Sequence, residues 1–451
     1  MITSILPINK KYTDISFIYV TYLLALFPLL PYGARSIITA VWCLIGLDAY
    51  LRERKKNALG INQNKKLFLI SIFAFVYLPL TLFYSENIVE GFNKLVQMSS
   101  LLIYPLIFSL NSNKFDRKVR DNIIMVFCTS VVLLVIYQIV KSLYNLDFLL
   151  GNLSPLEIQR NNLDGYEVID VEMTNRIKLR RFRSYATGLV NTHTTYQGLW
   201  IAFAFFYLIR SVFFNFNKHK KIKNVTMLVL ACILFFWLLL MSTRMPILAI
   251  LSGGFITLFI FTKFKTKTYV IILGASIFVA LGSYLSFTTV KLRVDEVFRT
   301  KFALPSSGND IETYNSTNVR NGVYFCSLKI IKENALLGVG LGDAQDKLND
   351  CYRDELGAKI YGWTTYNTHS QYLFFLLTAG LLGLLLFLTS LSIQLKISVE
   401  RKENQHFYFL IIVAIICLTE NVLVRSDGLI FFSFFNSLFL FNPKKLVDDC
   451  N

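Results

Sequence analysis

The sequence lacks the residue patterns that indicate a metal or redox centre. Its seven cysteines include no Cys-x-x-Cys pair, so a zinc site is not expected. No Asp-x-Asp pair stands beside an apolar run, where it would hold a metal ion bound to a diphosphate, and the nearest pattern is Asp170-Val-Glu172. These absences favour a site without a metal ion or other cofactor, in which arginine side chains offset negative charge.

Carboxylates are also scarce inside the apolar runs, because Asp48, Glu420 and Asp427 lie at or near the ends of such runs. A proton-driven transporter usually carries a row of buried carboxylates, which this sequence does not have. The sequence also shows no internal repeat, no low-complexity tract and no soluble domain. The first apolar run has no small-residue cleavage site behind it, so we expect it to be a retained membrane span.

Apolar residues dominate what is present. Hydrophobic residues make up 54% and aromatic residues 15% of the 451 positions, and the mean hydropathy is +0.50. A helix satisfies its own backbone hydrogen bonds in lipid, so long apolar runs separated by short charged segments predict an all-α polytopic membrane protein. A span needs roughly 20 mostly apolar residues, and about twelve runs qualify. They are 15–30, 36–50, 67–84, 95–110, 122–144, 193–210, 225–241, 246–262, 269–286, 370–394, 406–423 and 429–441.

The charge distribution predicts the orientation. A net charge of +17 would suggest a nucleic-acid partner in a soluble protein, but here the basic residues gather in alternate loops. The short loops on the opposite side carry one basic residue each, namely Arg35, Lys94, Arg244 and Arg425. Because cytoplasmic loops are enriched in Lys and Arg, we expect both termini in the cytoplasm, membrane lipids around the chain and no nucleic-acid partner.

This topology divides the chain into five segments. Residues 1–144 form a scaffold of spans one to five, and 145–192 form a first outer loop. Residues 193–286 hold spans six to nine, and 287–368 form a large outer loop. Residues 369–451 hold spans ten to twelve and the tail.

The outer loops carry the candidate site residues. Arg183 ends a basic run that either binds phosphates or acidic sugars, or forms a solvated loop edge. Arg244 is either an anion ligand or a side chain that reaches lipid headgroups. His193 and His369 are the histidines at outer span ends, and His369 follows the largest loop. A histidine at a helix start is more often a capping residue than a catalytic one. His369 is singled out because it follows the largest outer loop.

The large outer loop contains two further features. Residues 319–332 have apolar positions at helical spacing and predict an amphipathic helix with Arg320 near its start. The Gly-rich stretch 338–342 has no preceding strand and no following Lys-Ser/Thr, so a turn is favoured over a nucleotide loop. Cys326 and Cys351 would face an oxidising compartment, where they either form a disulfide or stay free.

Four passages of the sequence resemble the O-antigen ligase and polymerase superfamily of bacterial integral membrane glycosyltransferases. They match in order, spacing and topology over about residues 180–395, while the first five spans match only in hydrophobicity. The passages are Arg183-Ser-Tyr-Ala-Thr-Gly-Leu-Val-Asn-Thr-His193, Leu240-Met-Ser-Thr-Arg-Met-Pro-Ile-Leu-Ala249, Arg320-Asn-Gly-Val-Tyr-Phe with Leu337-Gly-Val-Gly-Leu-Gly342, and Thr368-His-Ser-Gln-Tyr-Leu with Ala379-Gly-Leu-Leu-Gly383.

The resemblance implies a fold of twelve helices with a mostly helical periplasmic lobe, as in class C glycosyltransferases. It implies metal-independent, inverting transfer at the periplasmic face of the bacterial inner membrane. By motif, Arg244 corresponds to the family's Ser-Arg-Gly arginine, Arg320 to the arginine that opens the external helix, and His369 to the histidine of a His-Asn pair. Two departures stand out, because Met245-Pro246 replaces the usual small residue and Ser370 replaces Asn.

The resemblance also implies the substrates. The donor would be a glycan on undecaprenyl diphosphate, and the acceptor would be a sugar of lipid A core. Neutral His369 would act as the base near pH 7, while arginines hold the diphosphate. The arginines that the motifs supply for this role are Arg183, Arg244 and Arg320, and His193 and Tyr324 are accessory candidates.

A ligase is the preferred function, and four alternatives stay open. An O-antigen or exopolysaccharide polymerase would use the same residues and differ only in its acceptor. A protein O-oligosaccharyltransferase would likewise differ in its acceptor. A polysaccharide transporter would be expected to lack a large outer lobe, and a structural membrane protein would tolerate loss of the His and Arg residues. The sequence does not decide the acceptor, the glycan or the oligomeric state.

Overall fold

The computed structural model describes residues 10–54, 61–160, 169–214, 221–286, 288–299, 303–305 and 316–441. Within these ranges every regular element is a helix and there is no strand. The all-α class predicted from the apolar runs is therefore confirmed for this part of the chain. The chain divides into two units, which are described separately.

The first unit contains the N-terminal helices and the C-terminal third of the chain. Helix α17 packs against α3, and α19 packs against α5. Its helices are α1 (Lys10–Ala25), α2 (Tyr32–Arg54), α3 (Ile61–Tyr77), α4 (Ile88–Met98), α5 (Ser100–Leu110), the start of α6 (Arg117–Tyr144), and, after the second unit, α15 (Ser316–Glu333), α16 (Ala344–Cys351), α17 (Gln371–Glu400), α18 (Asn404–Ile416) and α19 (Ser426–Leu440).

The second unit contains the rest of α6 and the helices that follow it. Helix α10 packs against both α11 and α12. The helices are α7 (Leu146–Leu150), α8 (Pro155–Arg160), α9 (Val171–Gly188), α10 (Thr194–Phe214), α11 (Lys221–Leu240), α12 (Arg244–Phe261), α13 (Thr266–Ser286) and α14 (Thr288–Arg299).

Several helices have the length and composition of membrane spans. Five described helices qualify, or six when the pair 64–73 and 75–83, bent by 62°, is taken as one broken span. The five are Tyr32–Glu53, Arg117–Tyr144, Ile222–Leu240, Arg244–Phe261 and Gln371–Glu400. The chain therefore has the character of a multi-pass membrane protein.

Several expected spans have different bounds in the structure, and two of them show the difference clearly. The run 95–110 is divided at Ser99 into α4 and α5, and α5 contains Pro105. The run 406–423 ends as a helix at Ile416, after which residues 417–425 form turns that connect α18 to α19. The expected boundary was wrong because Cys417, Val422 and Leu423 extend the apolar run in sequence. In the structure, Cys417 and Leu423 are instead hydrogen-bonded to Gln371 at the start of α17.

A helix break in α17 docks the Gly-rich stretch. Gly380 has φ 63° and ψ −164°, so the helical hydrogen bonds fail there. The backbone N–H groups of Val339 and Gly340 donate to the carbonyls of Leu377 and Thr378, at 2.8 and 3.0 Å. The stretch 338–342 is therefore a structural turn, as its flanking sequence predicts.

The same turn is held from its other side by the segment before α4. Thr81 and Ser85 accept hydrogen bonds from the backbone N–H groups of Leu341 and Gly342, at 3.1 and 3.3 Å. Buried Asp343 accepts from the backbone N–H groups at positions 86 and 87. The turn thus links the helix break to residues 316–370, which are called the lobe below.

Candidate active site

His369 stands at the start of α17 in an unusual backbone conformation. Its φ is +46°, a left-handed value that is uncommon for residues other than glycine. Its backbone N–H donates to the side chain of Asn367 at 3.0 Å. Strained backbone of this kind persists only where the surrounding structure enforces it, and it clusters at functional sites.

Ser370, which stands where the family motif has an asparagine, can take the structural role of that residue. It is the N-cap of α17, and its side-chain oxygen accepts from the backbone N–H of Leu373 at 3.4 Å. Serine and asparagine are about equally good at an N-cap, so the substitution keeps the helix start after His369.

The turns between α18 and α19 are bonded to this helix start. The backbone N–H of Gln371 donates to the carbonyl of Cys417 at 2.9 Å, and the Gln371 side chain accepts from the backbone N–H of Leu423 at 2.7 Å. Thr368 donates to the side chain of Asn421 at 3.1 Å. These bonds fix the position of Glu420 beside His369.

Glu420 lies between a histidine and an arginine. Its Oε1 is 4.0 Å from Nδ1 of His369 and 4.0 Å from Nη2 of Arg320, which is on the first turns of α15. Glu420 is 6% exposed, whereas the side chain of Arg320 is 39% exposed. The arrangement pairs a buried carboxylate with an imidazole and with a guanidinium that still faces solvent.

The electrostatics of this cluster follow from its burial. Burial raises the pKa of Glu420 above the usual range of a carboxyl group, and the positive charges of Arg320 and Arg425 act against that rise. Tyr324 lies one helical turn after Arg320, and burial raises its pKa as well. A carboxyl group whose pKa is perturbed by burial next to specific charges is typical of a functional site.

Aromatic side chains of the lobe form a series of ring contacts that ends at His369. Tyr352 stacks on Tyr361 with ring centroids 4.7 Å apart, and Tyr361 contacts Tyr366, whose ring lies 6.3 Å from that of His369. The Tyr361 hydroxyl donates to the carbonyl of Val319 at 3.0 Å, beside Arg320. The lobe core thereby fixes both sides of the cluster.

The lobe is also crosslinked. Cys326 and Cys351 form a disulfide with a Cα–Cα distance of 5.8 Å, and both residues are buried in the lobe core. The bond joins α15 to α16, so it holds the helix that carries Arg320.

Arg244 lies in the second unit, at the first position of α12, and is exposed. Ser242, two residues earlier, has φ +49°. Pro246 packs where a side chain at Gly198 would lie, since a Cβ built there is 2.4 Å from the Pro246 ring. The unusual proline after Arg244 is therefore accommodated by a glycine on α10.

The basic run of α9 is largely structural. Arg181 donates to Glu157 and to the backbone carbonyls of Phe148 and Asn152, and Lys178 donates to the carbonyl of Leu150. These bonds hold the loop 146–160 against α9 and explain much of the charge in the run. Arg183, the motif arginine, lies two residues further along α9 in the same unit.

His193 has a capping contact, because its Nδ1 accepts from the backbone N–H of Thr195 at 3.4 Å at the start of α10. Asn191, just before it, has φ +52°. The structure thus brings His369, Arg320 and Tyr324 together in the first unit, and it places Arg183, His193 and Arg244 in the second.

The described helices have the character of a multi-pass membrane protein, and the cluster at the start of α17 is a candidate site of basic and acidic residues. Residues 227–388 match a family model described as O-antigen ligase, so the resemblance to the O-antigen ligase and polymerase superfamily is confirmed. The match contains Arg244, Arg320 and His369. Members of this family are enzymes of the glycosyltransferase type that use lipid-linked glycans. No curated protein gives a significant match to the sequence.

Glu420 was not predicted as a site residue. It lies outside the matched residues and 51 positions after His369 in the sequence, so no motif connects the two. One signal was present, because the run 406–441 contains only two acidic residues, Glu420 and Asp427. Asp427 forms a buried pair with Arg35, which leaves Glu420 for the site.

Proposed function

We propose that this protein is an O-antigen ligase-like glycosyltransferase. It transfers a glycan from undecaprenyl diphosphate to a sugar acceptor, in the first instance lipid A core, by a metal-independent reaction that inverts the anomeric carbon. The observation that carries this proposal is the cluster of His369, Glu420 and Arg320 within and beside the segment that matches the family.

The reaction assigns a task to each group. A hydroxyl of the acceptor attacks the anomeric carbon, its proton passes to His369, and the diphosphate leaves with the electron pair of the broken carbon–oxygen bond. Arg320 is exposed enough to bind the departing diphosphate with two hydrogen bonds. The family motif gives the same task to Arg244, and Arg183 is the further candidate. Tyr324 would contact the substrates beside Arg320, and His193 stays an accessory candidate.

The membrane arrangement is part of the proposal. We infer twelve spans, both termini in the cytoplasm and the cluster at the periplasmic face of the inner membrane. Contacts in the first unit support the grouping of the loops into two opposite sides. Lys114 and Glu53, which the charge rule places inside, are 2.8 Å apart, and Arg35 and Asp427, which it places outside, are also paired.

The test is transfer by the purified protein in lipid vesicles. The donor is a glycan on undecaprenyl diphosphate, and the acceptors are lipid A core and the carrier-linked glycan itself. We expect one glycan added to lipid A core, equal activity with a chelator, and at least about a 100-fold loss in His369→Ala and Arg244→Ala. Growth of the carrier-linked chain would instead show a polymerase, and normal transfer by His369→Ala would overturn the proposed site.

A further inference from the structure

Glu420 belongs to the cluster, but the proposed reaction assigns no role to it. Its carboxylate is equally far, at 4.0 Å, from Nδ1 of His369 and from Nη2 of Arg320. Both distances exceed a hydrogen bond of about 2.8 Å by roughly 1 Å. A small rotation of the Glu420 side chain would therefore make one contact at the expense of the other.

Neighbouring hydrogen bonds hold the backbone around Glu420 in place, while its side chain can rotate towards either Arg320 or His369. The turns 417–425 are bonded to the start of α17 through Gln371 and Thr368. The carboxylate is buried, so its interaction with either positive partner is stronger than it would be in water.

We propose that Glu420 is a positioning residue shared by Arg320 and His369, through which binding of the donor diphosphate prepares the base. This inference rests on the proposed function. Without donor, the carboxylate is shared, because it lies 4.0 Å from both Arg320 and His369. When the diphosphate binds Arg320, the carboxylate turns to Nδ1 of His369 and accepts its N–H.

The chemical consequence follows from the two ring nitrogens of histidine. A carboxylate at Nδ1 selects the tautomer in which Nε2 is unprotonated and stabilises the imidazolium that forms later. Nε2 then accepts the proton of the acceptor hydroxyl as the new carbon–oxygen bond forms and the diphosphate leaves. His369 is thereby a stronger base when a donor is present than when it is absent, which limits loss of the glycan to water.

Other charged and titratable groups lie near the pair and are unchanged in every variant below. They are Arg425 on the turns that hold Glu420, Tyr324 on α15, and Tyr366 beside the His369 ring. The test varies Glu420 alone and leaves these groups in place.

The first readout does not require transfer activity. Diethyl pyrocarbonate modifies neutral imidazole, and mass spectrometry of the peptide that contains His369 gives its titration midpoint in the full-length protein. We expect Glu420→Gln to lower the midpoint by about one pH unit, because a negative neighbour is lost, and Glu420→Asp to restore part of the difference. Glu355→Gln, at the lobe surface where Glu355 pairs with Lys329, is the matched control and should leave the midpoint unchanged.

Undecaprenyl diphosphate is the probe for coupling. It should raise the midpoint of His369 more in the wild-type protein than in Glu420→Gln, since only the former has a carboxylate to release. Equal rises in the two proteins, or equal midpoints without the probe, would overturn the proposal.

The second readout is transfer. Glu420→Gln should lower kcat about 10- to 100-fold without raising the KM for the donor, and its acid limb should move to lower pH. A KM that rises together with a loss of folded protein would show a structural role and contradict the proposal. If the wild-type protein transfers no glycan, the proposed function fails, while the titration of His369 still decides whether Glu420 acts on it.

Discussion

Replacing Gly380 by alanine tests whether the break in α17 holds the lobe. Gly380 has φ 63° and ψ −164°, a region occupied essentially by glycine alone. A Cβ built there lies 2.1 Å from the carbonyl oxygen of Leu336 and 2.5 Å from the nitrogen of Leu337. Both are backbone atoms, so the clash is relieved only if the turn 335–342 moves away from α17.

The cost has two parts. An L-residue with this backbone conformation costs about 1–3 kcal/mol. Movement of the turn weakens three hydrogen bonds, which are the two to the carbonyls of Leu377 and Thr378 and the one from the Leu381 N–H to the Ala335 carbonyl at 2.8 Å. At about 1 kcal/mol each, the total destabilisation of Gly380→Ala is about 4–6 kcal/mol.

The assay is thermal unfolding of the purified protein in detergent, followed by tryptophan fluorescence. We expect Gly380→Ala to lower the apparent Tm by about 5–10 °C. Gly362→Ala is the matched control, because a Cβ at that lobe position meets nothing within 4 Å. An unchanged Tm for Gly380→Ala, or an equal change for both variants, would refute the reasoning.

Three further predictions concern the rest of the described chain. Cys326→Ser removes a crosslink that spans 25 residues, so the lobe should lose about 3–4 kcal/mol and become sensitive to protease. Arg181 holds the pKa of Glu157 at about 2, so the stability from this pair should be present above pH 4.5 and be lost as the pH falls towards 2 in limited proteolysis of loop 146–160. Arg35→Met should destabilise the protein by about 3–5 kcal/mol in thermal unfolding, because the buried Asp427 carboxylate loses the positive charge that balances it, and adding Asp427→Leu should restore most of that loss.

Each of these has a matched comparison. Reductant should reproduce Cys326→Ser in the wild-type protein and add nothing to the variant. Arg176→Gln on the same helix, whose half-exposed side chain pairs within α9, should not alter the acid sensitivity of the loop. Equal losses in Arg35→Met and in the double variant would show that the buried pair is not the cause.

The sequence predicted those parts of the fold that depend on local composition. The apolar runs predicted helices, and the missing strand and Lys-Ser/Thr around residues 338–342 predicted a turn. The contact of that turn with Gly380 was beyond the sequence, because no spacing rule connects two glycine stretches about 40 residues apart. Both glycine stretches occur in the passages that carry the resemblance, and the structure gives a physical reason for this. The helix break at Gly380 supplies the carbonyl groups that accept hydrogen bonds from the turn 338–342.

The sequence predicted the motif residues of the candidate site, but it did not predict its acidic residue, Glu420. His369 and Arg320 were singled out by their position after a long polar segment and at a helix start. Asp48, Glu420 and Asp427 were noted together as acids near span ends, and the structure separates them. Asp48 pairs with Arg52 one turn away, and Asp427 is buried against Arg35. Sequence alone gives no basis for this separation, because it depends on which helix ends meet.

The same separation bears on the function. A protein whose outer acids were all paired with structural arginines would bind an anion but would have no group to support a base. Glu420 differs because its neighbours are a half-exposed arginine and a histidine, each 4.0 Å from the same carboxylate oxygen. When one of them binds substrate, the other still balances the buried charge. A purely structural role for the cluster predicts that Arg320→Gln and Glu420→Gln destabilise the protein as a buried pair does. The exposure of Arg320 instead predicts that Arg320→Gln keeps the Tm while donor binding is lost.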